Sequence, residues 1–528
     1  MKMHKILSFL LLAGILFVFP TCETEDEFLT EQPRSFNAPE NIFLSTKGFI
    51  AALNGCYHQM QREWHDFVYG SHWSGTDLAL NALVHGEYKT FESLGEHLTP
   101  ESYTCLMIWN WAYQTIANAN TILENIDNEN VNWESPDDKT NIEAQARFVR
   151  AYAYRTLAYS FGGVPLVDEV GKPFRLDYTR STLDETLDFI INDFTFAANN
   201  LPGPDDVADE GRVCNAAAQH WLAEIYVYKG EYASAVPLLE GIINSGDFQL
   251  MTERFGNHTS EPGDVYSDLF KEHNQNRSSG NLETIWCIQL EYNWDGGPWT
   301  FNDWSRRAWV PYYSTYSGMV LCDSFGGRGV GRLRPTDFWL NSYEDQDIRN
   351  SKYNIRRDWY INDPADPNYG QRVEITDELR NNGTLYETTR KFDFGKTAEW
   401  PTEPFNRKDR YKIRLADTYL ILAEAQFRLG NMQEAADALN AVRERSNATP
   451  ITAADVDIDF ILDERARELF GEYPRKYALT RTGEFVNRVK AHNPVTSQFV
   501  QDYNIYWPIP QTAIDANSEA KIEQNEGY

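Results

Sequence analysis

The sequence has no second long apolar run after its N-terminus, and this absence excludes an ordinary membrane-spanning helix. Residues 6–19 form an apolar run of about 14 residues, whereas a helix needs about 20 such residues to cross a bilayer. Lys2, His4 and Lys5 precede the run. A short apolar core after a basic start is typical of a signal peptide. We therefore predict that residues 1–21 direct export and that the mature chain has no transmembrane helix.

The chain is also poor in positive charge. It holds 48 lysines and arginines against 78 aspartates and glutamates, which gives a formal net charge of -30. Loss of Lys2 and Lys5 with the signal peptide would make the mature chain more acidic still. Because such a surface repels phosphate backbones, we predict no nucleic-acid partner. An acidic surface suits a neutral or a basic ligand.

No two cysteines have the C-x-x-C spacing of zinc sites and thioredoxin-like redox motifs. The six cysteines are Cys22, Cys56, Cys105, Cys214, Cys287 and Cys322. A chain this long folds without disulfides, so we interpret most of them as small buried hydrophobic residues. His58, His65 and His72 are spaced by seven residues rather than four, which argues against a zinc site on a helix. We predict no metal and no cofactor.

The sequence also lacks a zincin motif, a serine-centred nucleophile elbow and a phosphate-binding loop. The glycine run at residues 326–331 follows no apolar strand, and residues 332–335 end in proline where a helix would have to begin. We interpret the run as a surface loop. The charge-dense residues 461–469 predict a helix with a structural salt-bridge network, in which Glu464 and Arg465 reach other helices. We predict no catalytic residue and no enzymatic activity.

Cys22 stands directly after the predicted signal peptide. A cysteine at this point resembles the bacterial lipoprotein signal, in which the thiol is diacylated and becomes the new N-terminus. Phe19, Pro20 and Thr21 depart from the leucine and small residues that usually precede it. We predict lipid attachment at Cys22, with ordinary secretion and a free thiol as the alternative. Residues 22–40, which include an acidic run, would then form the lipid anchor and tether.

Two segments that lie 200 residues apart share one pattern. Residues 222–239 and 422–439 carry Leu, Ala, Glu, Gly, Ala and Leu at matching offsets. The pattern predicts a helix that ends at the glycine, followed by an antiparallel helix that small alanines allow to approach closely. Paired helices of this kind are the unit of tetratricopeptide repeats.

We predict four such helix pairs, three before residue 246 and one after residue 410. Helical periodicity and the capping box formed by Thr182 and Glu185 support the earlier pairs. The fold class is therefore mainly α, a tetratricopeptide-like scaffold of four helix pairs with a large, irregular, loop-rich insertion that carries short strands. The predicted parts of the mature chain after the tether are 41–246 with three helix pairs, 247–408 as the aromatic-rich insertion, and 409–528 with the fourth pair and the C-terminal segment.

Tryptophan is concentrated in the predicted insertion. Five of the chain's 15 tryptophans lie within 24 residues, with asparagine, aspartate and arginine between them. Flat aromatic rings stack on sugar rings, while amides, carboxylates and guanidinium groups bind the hydroxyls. The alternative is an aromatic core, which fits Trp286 because it lies in an apolar run. The candidate ligand-binding residues here are Trp294, Trp299, Asn302, Trp304, Arg306, Trp309 and Tyr312.

A second stretch rich in aromatic and polar residues spans residues 64–81. It combines flat rings with hydrogen-bonding side chains in the same way. Its candidate ligand-binding residues are Trp73, Asp77 and Asn81.

Nearly end to end, the chain resembles the SusD/RagB family. The motifs that carry the resemblance are Cys22 with Phe-Leu-Thr at 28–30, the helical segments 111–126 and 143–152, Phe-Gly-Gly-Val-Pro-Leu at 161–166, Tyr-Lys-Ile-Arg-Leu-Ala-Asp at 411–417, Tyr-Trp-Pro-Ile-Pro at 506–510 and Gln-Asn-Glu-Gly-Tyr at 524–528. The terminal motifs are the most specific. The chain departs from the family at Trp507 and at Glu526, where proline is common.

The resemblance implies a surface-exposed outer-membrane lipoprotein without enzymatic activity, which binds oligosaccharide or polysaccharide. It also implies a partner, a SusC-like TonB-dependent transporter that the protein covers as a lid and that the helix pairs face. In this family the ligand platform lies in variable loops after the first helix and after the third helix pair. Those positions match residues 64–81 and 294–313 here, although members do not share binding residues.

Three other functions remain open at this point. One is a peptide-binding lid of a RagAB-like transporter, since an aromatic and acidic surface also suits basic peptides. Another is a cryptic glycoside hydrolase, because paired carboxylates cleave glycosidic bonds. The third is a protein-interaction scaffold, because tetratricopeptide surfaces bind proteins.

Overall fold

The computed structural model describes residues 42–64, 68–83, 86–170, 175–290, 303–394 and 408–528. The predicted signal peptide, the lipid site at Cys22 and the tether lie outside these ranges, and they stay predictions. Within the ranges, no helix has the length and apolar character to cross a membrane.

The described part of the chain is mainly helical. Its α-helices, in chain order, are α1 (Thr46–Gln61), α2 (Val68–Ser71), α3 (Gly86–Glu92), α4 (Leu94–His97), α5 (Tyr103–Asn125), α6 (Asp138–Phe161), α7 (Leu183–Asn200), α8 (Asn215–Lys229), α9 (Tyr232–Asn244), α10 (Val265–Leu269), α11 (Ser305–Trp309), α12 (Asp337–Leu340), α13 (Asp377–Asn381), α14 (Leu415–Leu429), α15 (Met432–Arg445), α16 (Ile458–Leu469), α17 (Arg475–Thr482), α18 (Phe485–His492) and α19 (Gln511–Ala516).

The strands of the described residues are short and pair two by two. In chain order they are β1 (Ala79–Asn81), β2 (Thr284–Ile288), β3 (Leu333–Pro335), β4 (Ile355–Arg356), β5 (Trp359–Tyr360), β6 (Arg372–Val373), β7 (Thr388–Thr389) and β8 (Arg410–Arg414). The antiparallel pairs are β1 with β3, β2 with β8, β4 with β7, and β5 with β6. All of these strands except β1 and β8 lie in the predicted insertion.

The long helices form the four predicted pairs. Helix α1 packs on α5, α6 on α7, α8 on α9, and α14 on α15. Helix α9 also packs on α14, which joins the third pair to the fourth although the whole insertion separates them in sequence. The prediction of a mainly α fold with tetratricopeptide-like helix pairs and a loop-rich insertion is confirmed.

Local sequence sets the ends of these helices. Thr182 and Glu185 form the predicted capping box at the start of α7, where the Thr182 hydroxyl accepts from the Glu185 backbone amide at 3.2 Å. Helices α8 and α14 both end at a glycine in the left-handed conformation, Gly230 with φ 87° and Gly430 with φ 83°. The repeat seen in the sequence is therefore a repeat of helix endings as well as of helices.

Strand β8 fastens the insertion to the helical scaffold. It pairs with β2, and its last residue leads directly into α14. On β2, Trp286 packs edge-on against Trp221 and Phe148, with ring centroids 5.4 and 5.5 Å away. Trp286 is a core residue, as the sequence predicts, and it binds the insertion to the helix pairs by aromatic packing.

Helix α16 carries a network of buried charges. Glu464 lies 2.7 Å from both Arg349 and Arg443, and Glu468 lies 3.1 Å from Arg349 and 3.0 Å from Arg414. Burial alone would raise the pKa of these glutamates, but the guanidinium charges outweigh burial and lower the pKa of both. The predicted salt-bridge network is confirmed, and it connects α16 with the insertion, with α15 and with β8.

Candidate ligand-binding site

Two segments that the sequence predicts to bind ligand lie side by side. Strand β1 ends the first segment and runs antiparallel to β3, with Ala79 opposite Pro335 and Asn81 opposite Leu333. Helix α11, in the second segment, packs beside β3, because the backbone amide of Arg332 donates to the Ala308 carbonyl at 3.1 Å. The sheet pairing thus brings together loops from distant parts of the chain.

Trp73 and Trp309 meet inside this region rather than at its surface. Trp73 is 2% exposed and Trp309 is 0% exposed, and their rings form an edge-to-face pair at 5.7 Å. The Trp309 indole nitrogen donates to the Tyr69 hydroxyl. A ring without exposed surface cannot stack on a sugar, so the structure corrects both tryptophans from ligand platform to aromatic core.

Asp77 is buried as well. Arg475 lies 2.6 Å and Arg488 3.2 Å from its carboxylate. Burial would raise the pKa of Asp77, but the two guanidinium charges outweigh burial and lower it. Because the carboxylate is committed to these ion pairs, Asp77 joins the segment 68–81 to helices α17 and α18 and does not face a ligand. This is a second correction to the sequence prediction.

Trp304 and Arg306 are nearly enclosed. Two guanidinium groups lie over the Trp304 ring, those of Arg307 at 4.1 Å and Arg332 at 4.4 Å from the centroid, and Trp304 is 8% exposed. Arg306 is 1% exposed and donates from Nε to the Arg328 carbonyl at 3.2 Å. Cation–π contacts and burial therefore hold these two side chains, and neither forms an open platform.

Asn81 and Tyr312 are the predicted residues that keep partly exposed side chains in the described structure. The backbone and side-chain nitrogens of Asn81 donate to the Glu92 carboxylate at 2.7 and 3.2 Å. On β3, Arg334 donates to the Asn381 side chain at 3.2 Å. The Gly383 carbonyl, in the turn that follows Asn381, accepts a hydrogen bond from the backbone amide of Tyr312. We call this surface the β1–β3 edge; its residues are Asn81, Glu92, Tyr312, Arg334 and Asn381.

Two polar atoms of the β1–β3 edge are buried. Within the described part of the chain, Asn81 Oδ1 and Arg334 Nε have no hydrogen-bond partner. Burial raises the pKa of Glu92 and lowers the pKa of Arg334, so both groups are held partly out of water. Hydrogen bonds are stronger in such surroundings. An amide, a carboxyl and a guanidinium group, near a tyrosine whose backbone is bonded to the turn after Asn381, match the needs of a polyhydroxylated ligand.

Three predicted residues, Trp294, Trp299 and Asn302, lie outside the described residues, and their role in ligand binding stays a prediction. The described chain resumes at Asp303, which is buried and accepts a hydrogen bond from Arg410 at 3.3 Å. Strand β8 therefore holds the start of the α11 segment.

Sequence reasoning missed Glu92, Arg334 and Asn381. Each belongs to a short element with no periodic pattern. Arg334 and Asn381 reach the site because β1 pairs with β3, and Glu92 reaches it from α3 through its hydrogen bonds with Asn81. Strands of three residues are too short for an alternation of apolar and polar residues to show, so no sequence signal could have found them.

Two family models divide most of the chain between them. Residues 282–528 match the model described as the SusD family, and residues 27–227 match the model described as starch-binding associating with outer membrane. The chain belongs to the SusD family. The resemblance noted in the sequence is confirmed.

Relatives of this SusD family member align over nearly its whole length. A SusD-like protein of Formosa agariphila is 25% identical over 548 aligned residues, which cover 95% of this chain and 96% of the relative. A SusD-like protein of Bacteroides ovatus is 24% identical, in an alignment that covers 89% of this chain and 81% of the relative.

Solved structures share the fold of this SusD family member. Surface glycan-binding protein A from Bacteroides thetaiotaomicron, in complex with laminarihexaose, superposes with a TM-score of 0.72 at 19% identity, over 92% of this chain and 100% of the other. A laminarin-binding SusD-like protein gives a TM-score of 0.70 at 22% identity, over 91% of this chain and 99% of the other. At these identities the likeness establishes the common fold.

Proposed function

We propose that this SusD family member is a surface glycan-binding lipoprotein, which captures oligosaccharide or polysaccharide and acts as the lid of a SusC-like TonB-dependent transporter. The observation that carries the proposal is the β1–β3 edge, where the two loop regions used for ligands in this family meet. The names of the relatives support it, because two structural neighbours are described with laminarin or laminarihexaose and one family model as starch-binding.

The chemistry of the edge suits sugar hydroxyls. A hydroxyl both donates and accepts, so it suits the carboxyl, guanidinium and amide groups on the partly exposed side chains of Glu92, Arg334 and Asn381. The half-buried Tyr312 ring adds flat apolar area at low entropy cost.

We propose binding without catalysis. Glycoside hydrolysis needs two carboxyl groups about 5–9.5 Å apart on opposite sides of the bond that is cleaved. The Glu92 carboxylate accepts from both nitrogens of Asn81, and Asp77 is buried between Arg475 and Arg488. Neither carboxyl group faces open space with a second one opposite.

The anchor and the transporter belong to the same proposal. A lipid at Cys22 with the tether at 22–40 would keep the protein beside its partner while it opens. The helix pairs offer a surface for that partner, because an apolar groove of about 700 Å³ lies between α5 and α19, with Trp109, Tyr113 and Ala513 in its walls. Exposed apolar surface of this kind is typical of protein–protein contacts.

Affinity electrophoresis of the chain without its first 21 residues tests glycan binding, on gels that contain laminarin, starch, xyloglucan, mannan or polygalacturonate. We expect retention by at least one glycan and about tenfold weaker binding by Tyr312→Ala, because a stacked ring contributes about 1 kcal/mol or more. Trp299→Ala tests the predicted tryptophan in the same assay.

The matched control is Tyr369→Ala, which removes a tyrosine that is 60% exposed in the β5–β6 connection. We expect it to bind as the wild type does. Calorimetry with basic peptides completes the comparison: tight peptide binding without retention on any glycan would favour the peptide-binding lid and reject our proposal.

A further inference from the structure

A second cavity lies in the insertion, on residues other than those of the β1–β3 edge. Its volume is about 650 Å³, within the range of about 300–1,000 Å³ that is usual for small-ligand sites. We call it the Tyr353 cavity; residues that line it include Tyr353, Phe270, His258, Glu261, Arg390 and Asp393.

Two aromatic rings stand in the wall of the Tyr353 cavity. Phe270 is half-buried and is held edge-on by Tyr266 and Tyr411, with centroids 5.4 and 5.9 Å away. Tyr353 is also half-buried, and the Lys352 ammonium lies 5.4 Å from its centroid. Phe270 is therefore fixed by its neighbours, whereas Tyr353 offers a flat apolar ring at the cavity wall.

The charged groups around the cavity are paired with one another. Glu261 accepts from Lys271 at 3.3 Å and lies 2.8 Å from His258 Nδ1, and the Arg390 Nε donates to Asp393 at 2.8 Å. A ligand with a net charge would have to displace one member of such a pair. A neutral ligand with many hydroxyls can instead donate to the carboxylates and accept from the cations while the pairs stay intact.

The Tyr353 cavity shares a wall with the segment that leads to the β1–β3 edge. Phe394 lines the cavity, and the Arg306 guanidinium carbon lies 5.6 Å from its ring centroid. Tyr313 exchanges two hydrogen bonds with the backbone of Cys322, at 3.0 and 3.1 Å, directly before the turn at Asp323 that also lines the cavity. Tyr313 follows Tyr312 of the edge in sequence.

We propose that the Tyr353 cavity is a second glycan-binding site, which takes sugar units of a neutral polysaccharide whose other units are bound at the β1–β3 edge. The proposal rests on the function proposed above. Two sites on one chain raise the affinity for a polymer that reaches both, because the second contact becomes intramolecular. A trisaccharide bound at the edge alone gains nothing from the cavity.

Calorimetry on the mature chain tests the second site, with the neutral polysaccharide that is best retained in the glycan panel and with its trisaccharide. Tyr353→Ala should weaken binding of the polysaccharide about tenfold and leave binding of the trisaccharide unchanged. Tyr353→Phe keeps the ring and should bind as the wild type does, and Tyr369→Ala again serves as the exposed-tyrosine control. Thermal midpoints verify that each variant is folded.

Each other outcome overturns a defined claim. If Tyr353→Ala and the wild type bind the polysaccharide equally, the second site is wrong while the proposed function stands. If the wild type binds polygalacturonate alone and Tyr353→Ala weakens that binding, the cavity takes an anionic glycan and its assignment to a neutral one is wrong. If the wild type is retained by no glycan, the proposed function itself fails.

Discussion

Among single residues, burial separates the aromatic side chains of the ligand region into two groups. Trp73 and Trp309 have almost no exposed surface and pack on each other, whereas Tyr312 and Tyr353 are half-buried and Tyr353 lines a cavity. Aromatic residues in this region therefore have two different roles. The enclosed rings hold the loops in place, and the half-buried rings remain able to stack on a ligand.

This division predicts opposite effects of two alanine substitutions. Trp309→Ala should lower the free energy of unfolding by about 3–5 kcal/mol, because it leaves a cavity in the core. Tyr312→Ala should lower it by less than about 1 kcal/mol and should instead weaken glycan binding. Denaturant unfolding followed by fluorescence or circular dichroism measures both. A Trp309→Ala protein as stable as the wild type would contradict the core assignment.

At the scale of elements, strand β8 organises the site. Its alternate residues Arg410, Lys412 and Arg414 are basic, and each holds a different part of the chain. Arg410 donates to the Gln61 carbonyl at 3.2 Å and lies 3.3 Å from Asp303, so it holds the chain near both predicted ligand segments. Because side chains alternate along a strand, three basic residues on one face can tie separate loops to one rigid backbone.

Lys412 and Arg414 extend the same role into the scaffold. Lys412 pairs with Glu63, which lies two residues after the end of α1. Burial lowers the pKa of Lys412 to about 7. Arg414 lies 3.0 Å from Glu468 on α16. The strand thus connects the first helix, the insertion and the C-terminal helices.

The endings of the repeat helices supply a test at the same scale. Gly430 has φ 83° and a Cβ there would meet no atom within 4 Å, so its only barrier to substitution is the backbone conformation. We expect Gly430→Ala to lower the free energy of unfolding by about 1–2 kcal/mol, since left-handed backbone disfavours residues with a Cβ.

Gly241, in the last turn of α9, is the matched control. A Cβ there also meets nothing within 4 Å, but the residue is helical. Gly241→Ala should raise the free energy of unfolding by about 0.5–1 kcal/mol. Denaturant midpoints of the two variants should therefore move in opposite directions, and a shared direction would disprove the assignment of the left-handed cap.

In the whole molecule, buried ion pairs join parts that are distant in sequence. The pKa of Glu464 and of Glu468 is lowered in the folded protein, because arginine charges outweigh burial. As the pH falls, these glutamates therefore become protonated in the unfolded chain before they do so in the folded protein. The stabilisation by their ion pairs is complete above the unfolded glutamate pKa of about 4.3. It is lost as the pH falls through the lower pKa of the folded protein.

Glu464→Gln should consequently lower the free energy of unfolding at pH 7, by up to about 3–5 kcal/mol, because it removes a buried carboxylate that Arg349 and Arg443 share. The difference from the wild type should narrow as the pH falls below about 4. Denaturant unfolding of the variant and the wild type, measured between pH 7 and pH 3, gives the difference at pH 7 and its decrease at low pH. Glu434→Gln, on the exposed surface of α15, should match the wild type throughout, and an equal pH dependence of both variants would contradict the role of the network.

Much of the scaffold was predictable from particular residues. The capping box at Thr182, the glycine at 230 and its repeat at 430 marked helix boundaries that the structure has in the same places. The charge pattern around Glu464 predicted its ion pairs with other elements. These predictions succeed because helix periodicity and capping depend on neighbours within a few residues.

The candidate site was predictable only in part. The segments 68–81 and 303–313 are adjacent, yet Trp73, Asp77 and Trp309 turn inward and Glu92, Arg334 and Asn381 supply the polar groups. The aromatic and polar composition of a loop indicates that it has rings and hydrogen-bonding groups. It does not indicate which of them face solvent, because that depends on what packs against the loop from elsewhere.

By itself, the sequence determined the family, the mainly α class, the four helix pairs and the expectation of export, since each follows from local patterns or from motifs. Only the tertiary structure decided which aromatic rings are core and which can meet a ligand. The pairing of β1 with β3 and the ion pairs of Asp77 with Arg475 and Arg488 link residues hundreds of positions apart. Long-range packing sets the burial of a side chain, and burial decides whether a ring stabilises the fold or binds a sugar.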